Sequence, residues 1–186
     1  MGILTPTPTP LGGLYEIRTT HVVDARGSFA RLFCEHDFAS IRVGLHFTQV
    51  NLSRTTHKGS VRGMHYQRLP VAEAKLVQCL RGRVFDVAVD VRAGSPTFLR
   101  WHAIELSDEN NLAVFIPEGF AHGFQALSDD AQLLYMHTNN WTPACEAGLR
   151  HDDPQLAVSW PIPITLVSER DASFPLLDST FAGVSL

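Results

Sequence analysis

The stretch Val61-Arg62-Gly63-Met64-His65-Tyr66-Gln67 sets an arginine and a histidine into a run that otherwise reads as buried strand, and Lys75 follows ten residues after the histidine. Imidazole titrates near neutral pH and can take a proton from a substrate. An ammonium can face an oxygen on which negative charge develops, and a guanidinium fork matches phosphate oxygens. Two more polar groups interrupt apolar runs. In "FIPEGFAHGFQAL", strand parity puts His122 on the face of Phe120 and Phe124, between the small residues Ala121 and Gly123. In "QLLYMHTNNW", Tyr135 shares a face with Leu133 and His137. Taken singly, each also reads as structural, a satisfied core histidine or a packed tyrosine with its hydroxyl bonded. Their number argues otherwise: Arg62, His65, Lys75, His122 and Tyr135 all lie in or beside strands that one barrel would bring together, and such interiors are either packed or used as ligand cavities. The pattern predicts a used interior.

The elements that must position these groups are mostly strands. Eight short apolar runs cut by turn residues span 47–53, 61–66, 75–80, 83–91, 101–106, 113–116, 120–127 and 132–138, which predicts an all-β barrel or jelly roll. In 83–91, Phe85, Val87, Val89 and Val91 alternate with Val84, Asp86, Ala88 and Asp90. The two aspartates read as solvent-facing, with no role, and "LRGRVF" as the hairpin turn before that strand. A short helix is expected over Glu35 to Val43, with Phe38, Ile41 and Leu45 on one face and Gly44 as its stop. The "TPTPTP" opening cannot donate backbone bonds at its prolines, so residues 1–13 are expected as an extended arm of a single domain covering 1–186. From Pro143 the chain is rich in proline and polar turns and reads as irregular covering.

Composition excludes several classes. The 186 residues are 45% hydrophobic and 18% charged, which suits one globular core, and the net charge of -4 disfavours non-specific nucleic-acid binding. Three widely spaced cysteines with no CxxC argue against a disulfide framework or a structural zinc. No apolar run is long enough to span a bilayer and "MGILTPTPTPLGG" lacks the pattern of a signal peptide, so a cytoplasmic protein without membrane contact is expected. A metal is not expected either. His65 is followed by Tyr66 and Gln67 instead of a second histidine, His57 is separated from it by Lys58 and Gly59, and Lys75 would bring a cation into the same cavity.

The runs "DARGSF" (24–29), "TQVNLSRTTHKGSVRGMHYQ" (48–67), "KLVQCLRGRVFDVAVDVRAGSPTF" (75–98), "IPEGFAHGF" (116–124), "LLY" (133–135) and "HDDP" (151–154), in this order, resemble the dTDP-4-dehydrorhamnose 3,5-epimerase family. The resemblance reaches from about Leu11 to Leu177. It implies a cupin-type double-stranded β-helix, a jelly-roll barrel with one or two short helices and an irregular C-terminal tail. It also implies no metal or other cofactor, a homodimer that exchanges N-terminal strands, and a nucleotide-diphosphate 4-keto-6-deoxy sugar as substrate.

On this resemblance, His65 matches the base that takes the C3 or C5 proton and Asp171, in "SERDASFPLL", the carboxylate that orients it. Lys75 matches the cation facing the C4 oxygen, and Tyr135 the acid that returns a proton to the other face. Arg26, Arg62 and His122 match positions at the diphosphate or its sugar; Phe29, Gln49 and Asn51 match positions at the nucleoside. Two departures bear on substrate identity. Arg31 stands where the family usually has a glutamate, and Asn140 followed by Trp141 where it usually has paired aromatics. Arginine is a donor only, so facing the N3–H of thymine it would oppose donor to donor; if it points at the base, CDP-sugars are expected to be favoured over dTDP-sugars. The expected activity is epimerisation at C3, C5 or both of a nucleotide-linked 4-keto-6-deoxyhexose, in polysaccharide or glycosylated-metabolite synthesis. A 3,4-ketoisomerase lacks the lysine and carries paired histidines; a non-catalytic sugar-nucleotide binder would not need His65, Lys75 and Tyr135 together.

Overall fold

The computed structural model describes residues 3–186. In chain order the elements are β1 (Leu4–Pro8), β2 (Tyr15–Thr19), β3 (Val22–Asp24), β4 (Gly27–Phe29), α1 (Glu35–Phe38), β5 (Gln49–Thr55), β6 (Ser60–Gln67), β7 (Lys75–Arg81) and β8 (Arg83–Asp90). There follow β9 (Trp101–Ser107), β10 (Leu112–Ile116), β11 (Phe120–Ala126), β12 (Ala131–His137), a 3₁₀ turn (Pro143–Cys145), β13 (Glu146–Gly148), β14 (Leu166–Val167) and α2 (Glu169–Ala172). All eight expected runs are strands, shifted by no more than a few residues.

Two sheets face each other. One has the order β1-β2-β10-β7-β12-β5 and the other β13-β6-β11-β8-β9, with β14 added in parallel to β6; β3 and β4 form a separate hairpin. The jelly roll is thus two open sheets and not a closed barrel, with β1 and β5 as the edges of the first. The "LRGRVF" turn is not a hairpin: β7 pairs β10 and β12 while β8 pairs β11 and β9, so Gly82, at φ 71°, turns the chain from one sheet into the other. Thr5 to Pro8 of the "TPTPTP" segment lie in β1, an edge strand paired with β2, as prolines allow only at an edge.

Away from the exposed β5 edge each sheet is covered on both faces, which explains why most strands read as apolar runs instead of clean alternation. Between the sheets lie Val77, Cys79 and Leu133 of the first and Val84, Ala88, Phe120 and Phe124 of the second. The outer face of the first, with Leu76 and Phe115, is packed by Phe38 and Leu45; that of the second, with Val87, Val89 and Val91, by Leu149, Leu156 and the partly buried tail residues Leu177 and Phe181. The helix expected over 35–43 shrinks to the single turn of α1. Cys34 gives no side-chain cap, and past Phe38 the amides of Ala39 and Ile41 bond only three residues back, to His36 and Phe38, so the α-helical ladder breaks although Arg42 still reaches the Phe38 carbonyl.

The aspartates of β8 correct the sequence reading, because both are buried. Asp90 accepts from the backbone and side chain of Arg92 and from the hydroxyls of Ser95 and Thr97, fixing the loop that follows its strand. Burial alone would raise its carboxyl, but these donors outweigh burial and hold it down to about 2. A depressed carboxyl contributes stability above its unfolded value near 4 that is lost as pH falls toward 2. Asp90→Ala strands the Arg92 guanidinium and is expected to cost about 3–5 kcal/mol in urea unfolding at neutral pH. A loss below about 1 kcal/mol would show that the loop holds without it.

Candidate active site

Odd-numbered residues of β7 and β12 point between the sheets, so Lys75 shares a face with Val77 and Cys79, and Tyr135 and His137 share one with Leu133. At one end these positions hold the apolar core; at the other they line a cavity of about 690 Å³. Register sets the neighbours: His137 lies opposite Lys75, Tyr135 opposite Asn51, and His122 of β11 opposite His65 of β6. The β6–β11 pairing is irregular between His122 and Phe124. There Gly63, at φ 116°, comes so close to β11 that a Cβ would meet Gly123 Cα at 2.5 Å and the His122 oxygen at 2.6 Å. Glycine at 63 is what lets β6 bend while His65 turns inward.

His65 Nε2 lies 2.7 Å from Asp171 Oδ1, and the other oxygen of Asp171 accepts the Gly63 amide at 3.1 Å. Asp171 sits on α2, whose cap Ser168 accepts the Asp171 amide, so the tail returns to β6 at the histidine. Burial would raise the Asp171 carboxyl, but the bonds from His65 and Gly63 prevail and keep it below the ordinary carboxylate range. An ionised carboxylate only accepts, so in the neutral imidazole Nε2 carries the hydrogen and Nδ1 keeps its lone pair. Lys75 is buried, with Nζ 3.2 Å from the His65 carbonyl and 3.3 Å from Glu73 Oε1. The Tyr135 ring is edge-on to His122 and near parallel to His137, both at 5.9 Å. Burial and then the nearby Asp86 carboxylate push its phenol well above the ordinary tyrosine value, so it stays a neutral donor.

Arg62 lines the cavity, donating to the Thr55 hydroxyl and the Arg54 carbonyl, and Asn51 belongs to the wall beside it. His122 Nε2 lies 2.8 Å from Asp86 Oδ2, so the second aspartate thought to face solvent positions a cavity histidine. Strand parity carried that signal, since Asp86 shares its face with the core residues Val84 and Ala88. Glu73, His137 and Trp141 also line the cavity and were not singled out as site residues; only the proximity of Glu73 to Lys75 in sequence pointed to it.

Five expected binding residues lie outside the chain's own cavity lining. Arg26 bonds Asp24 on the exposed β3–β4 hairpin, where Phe29 is 64% exposed. Arg31 donates to Asp37 at 3.1 Å, not toward the cavity. Gln49 accepts the Trp141 amide, and Asn140 is engaged through its carbonyl, which accepts from Gln67; Trp141, not Asn140, reaches the cavity. Among the described residues no group of three His, Cys, Asp or Glu side chains is placed to hold a metal ion.

The sequence profile of the dTDP-4-dehydrorhamnose 3,5-epimerase family matches residues 8–179. A protein of that name from Sinorhizobium fredii is 43% identical over 162 residues, covering 87% of this chain and 83% of its own. A dTDP-4-dehydrorhamnose 3-epimerase from Streptomyces niveus is 43% identical over 171 residues, covering 90% and 82%. The crystal structure of a dTDP-6-deoxy-D-glucose-3,5-epimerase from Legionella pneumophila, in complex with dTDP-4-keto-L-rhamnose, superposes with a TM-score of 0.90 at 38% identity, covering 97% of this chain and 98% of that one.

Proposed function

The chain belongs to the dTDP-4-dehydrorhamnose 3,5-epimerase family, and from that premise we propose that it inverts C3, C5 or both of a dTDP-linked 4-keto-6-deoxyhexose through an enolate. The observation that carries this reading is the His65–Asp171 pair on one wall of a cavity whose facing wall holds Lys75 and Tyr135. A proton next to a ketone becomes removable only when the enolate oxygen is stabilised. In this reading His65 takes it through Nδ1, the Lys75 ammonium faces the C4 oxygen, and Tyr135 donates to the carbon from the opposite side, which inverts the centre. Arg62 and His122 are assigned to the diphosphate and the adjoining sugar, and Asn51 to the nucleoside end.

A homodimer is part of the proposal. Arg26 and Phe29 match nucleotide-binding positions yet stand on an exposed hairpin, and β5 is an unpaired edge with Val50 and Leu52 exposed. Exchange of N-terminal segments would carry such a hairpin to a second cavity. A cytoplasmic setting is supported by Cys34, Cys79 and Cys145, all free thiols.

Incubation with dTDP-4-keto-6-deoxyglucose in D2O, followed by NMR, is expected to place deuterium at C3, C5 or both, with EDTA making no difference. No deuterium at either carbon would sink the epimerase reading. Uptake and inversion at C3 alone would match the 3-epimerase relative from S. niveus.

The expectation of CDP preference required Arg31 to face the base, whereas its guanidinium is held by Asp37. Calorimetry is therefore expected to show dTDP bound more tightly than CDP, with the same rank in Arg31→Gln. A CDP preference that Arg31→Gln abolishes would restore Arg31 to the base.

A further inference from the structure

Three imidazole–carboxylate pairs surround the cavity: His65 with Asp171, His122 with Asp86, and His137 with Glu73. The third has no part in the chemistry above, and its carboxylate has the wrong sign for a cavity that takes a diphosphate and steadies an enolate. The Glu73 side chain is nevertheless only 8% exposed and fully engaged. Oε1 lies 3.3 Å from Lys75 Nζ, while Oε2 accepts from His137 Nδ1 and from Gln67 Nε2, each at 3.0 Å. On its other side the His137 ring lies 18° from parallel with the Tyr135 ring. Sheet geometry makes this arrangement: His137 is paired across the ladder with Lys75, Tyr135 is two residues back on the same face, and Glu73 precedes Lys75 by two.

We propose that His137 is a positioning residue that holds the Lys75 ammonium in place through Glu73 and the Tyr135 phenol in place through ring stacking. This rests on the epimerase reading. A carboxylate bonded to Lys75 alone would draw the ammonium into a tight pair and cancel the field that the enolate oxygen needs. Two N–H donors on the opposite oxygen share that charge, so the lysine is anchored yet still presents positive charge to the cavity. Burial disfavours ionised Glu73, but the His137 bond and the Lys75 charge overcome it and keep the carboxyl below its ordinary range.

Two substitutions separate the two contacts. His137→Phe keeps a ring against Tyr135 and removes the donor to Glu73; His137→Asn keeps a donor near the Nδ1 position and removes the ring. His137→Phe is expected to slow carbon–deuterium exchange about tenfold, in kcat with KM little changed, the worth of one charge-assisted hydrogen bond. His137→Asn is expected to keep exchange near the wild-type rate and to lower inversion relative to exchange. The ¹⁵N-detected ammonium signal of Lys75 in the resting protein is expected to shift in His137→Phe and to be retained in His137→Asn. Exchange and inversion falling together in both variants along with thermal stability, or a Lys75 signal unchanged in His137→Phe, would overturn the proposal. If the wild type exchanges no deuterium, the epimerase reading fails on its own, and the ammonium signal still decides whether His137 holds Lys75.

Discussion

His65→Asn is expected to remove deuterium uptake from both carbons, with a rate loss on the order of 10²–10⁴. The pairing with Asp171 makes this the largest single effect. Because Asp171 is an acceptor only, it commits Nε2 to carrying a hydrogen and so leaves Nδ1 as a base, with no protein partner for that atom among the described residues. Of the other imidazoles on the lining, His57 is exposed and has no carboxylate among the described residues to orient it, and the remaining groups are engaged. His122 is tied to Asp86, His137 donates through Nδ1 to Glu73, and Lys75 is engaged with Glu73 and the His65 carbonyl. Asparagine reproduces an amide near the imidazole's position but cannot accept a proton at neutral pH. Nucleotide binding measured by calorimetry should stay close to wild type, since the phosphate contacts are assigned elsewhere. Uptake that persists at the wild-type rate would remove His65 from the mechanism.

Tyr135→Phe is expected to separate exchange from inversion. His65 on β6 and the phenol on β12 belong to different sheets that face each other, so a sugar bound between them would meet one from each side. Without the hydroxyl, His65 can still remove a proton and return deuterium from the same side. The variant is therefore expected to take up label at a rate within about tenfold of wild type, while the inverted product falls on the order of 10²–10⁴. Phenylalanine keeps the ring between His122 and His137, so the wall should remain packed. NMR of recovered substrate and product distinguishes the two fates. Loss of exchange together with inversion would mean that Tyr135 also supports proton removal, through the enolate or through the placement of His122.

Much of the cavity lining was legible because strand periodicity is short and strict. Lys75, His122 and Tyr135 each fall on the parity of core residues in their own strand, and alternation alone places such side chains inside. Parity also carried Asp86, whose burial beside His122 contradicts the solvent-facing reading. Position prevails over hydrophilic character there, because a carboxylate can be buried wherever a donor meets it. The helix over 35–43 failed for a different reason: apolar spacing described the packed face of Phe38 and Leu45 correctly, while the backbone past Phe38 tightens to three-residue bonds at Ala39 and Ile41 and the α-helical turn ends.

By itself the sequence determined eight of the strands, the cationic groups that enter the cavity, and the family, because each depends on local pattern or on short motifs kept in order. Only the tertiary structure decided which groups meet. Asp171 reaches His65 across 106 residues, and Glu73 reaches His137 across 64, through pairings between elements that no local periodicity specifies. The same holds for the turn at Gly82, which changes sheets instead of closing a hairpin, and for Arg31, whose charge is taken up by Asp37 before it can face a base. Side-chain parity is a property of one strand, whereas a hydrogen bond between distant residues is fixed only when the packing of both sheets sets the distance between them.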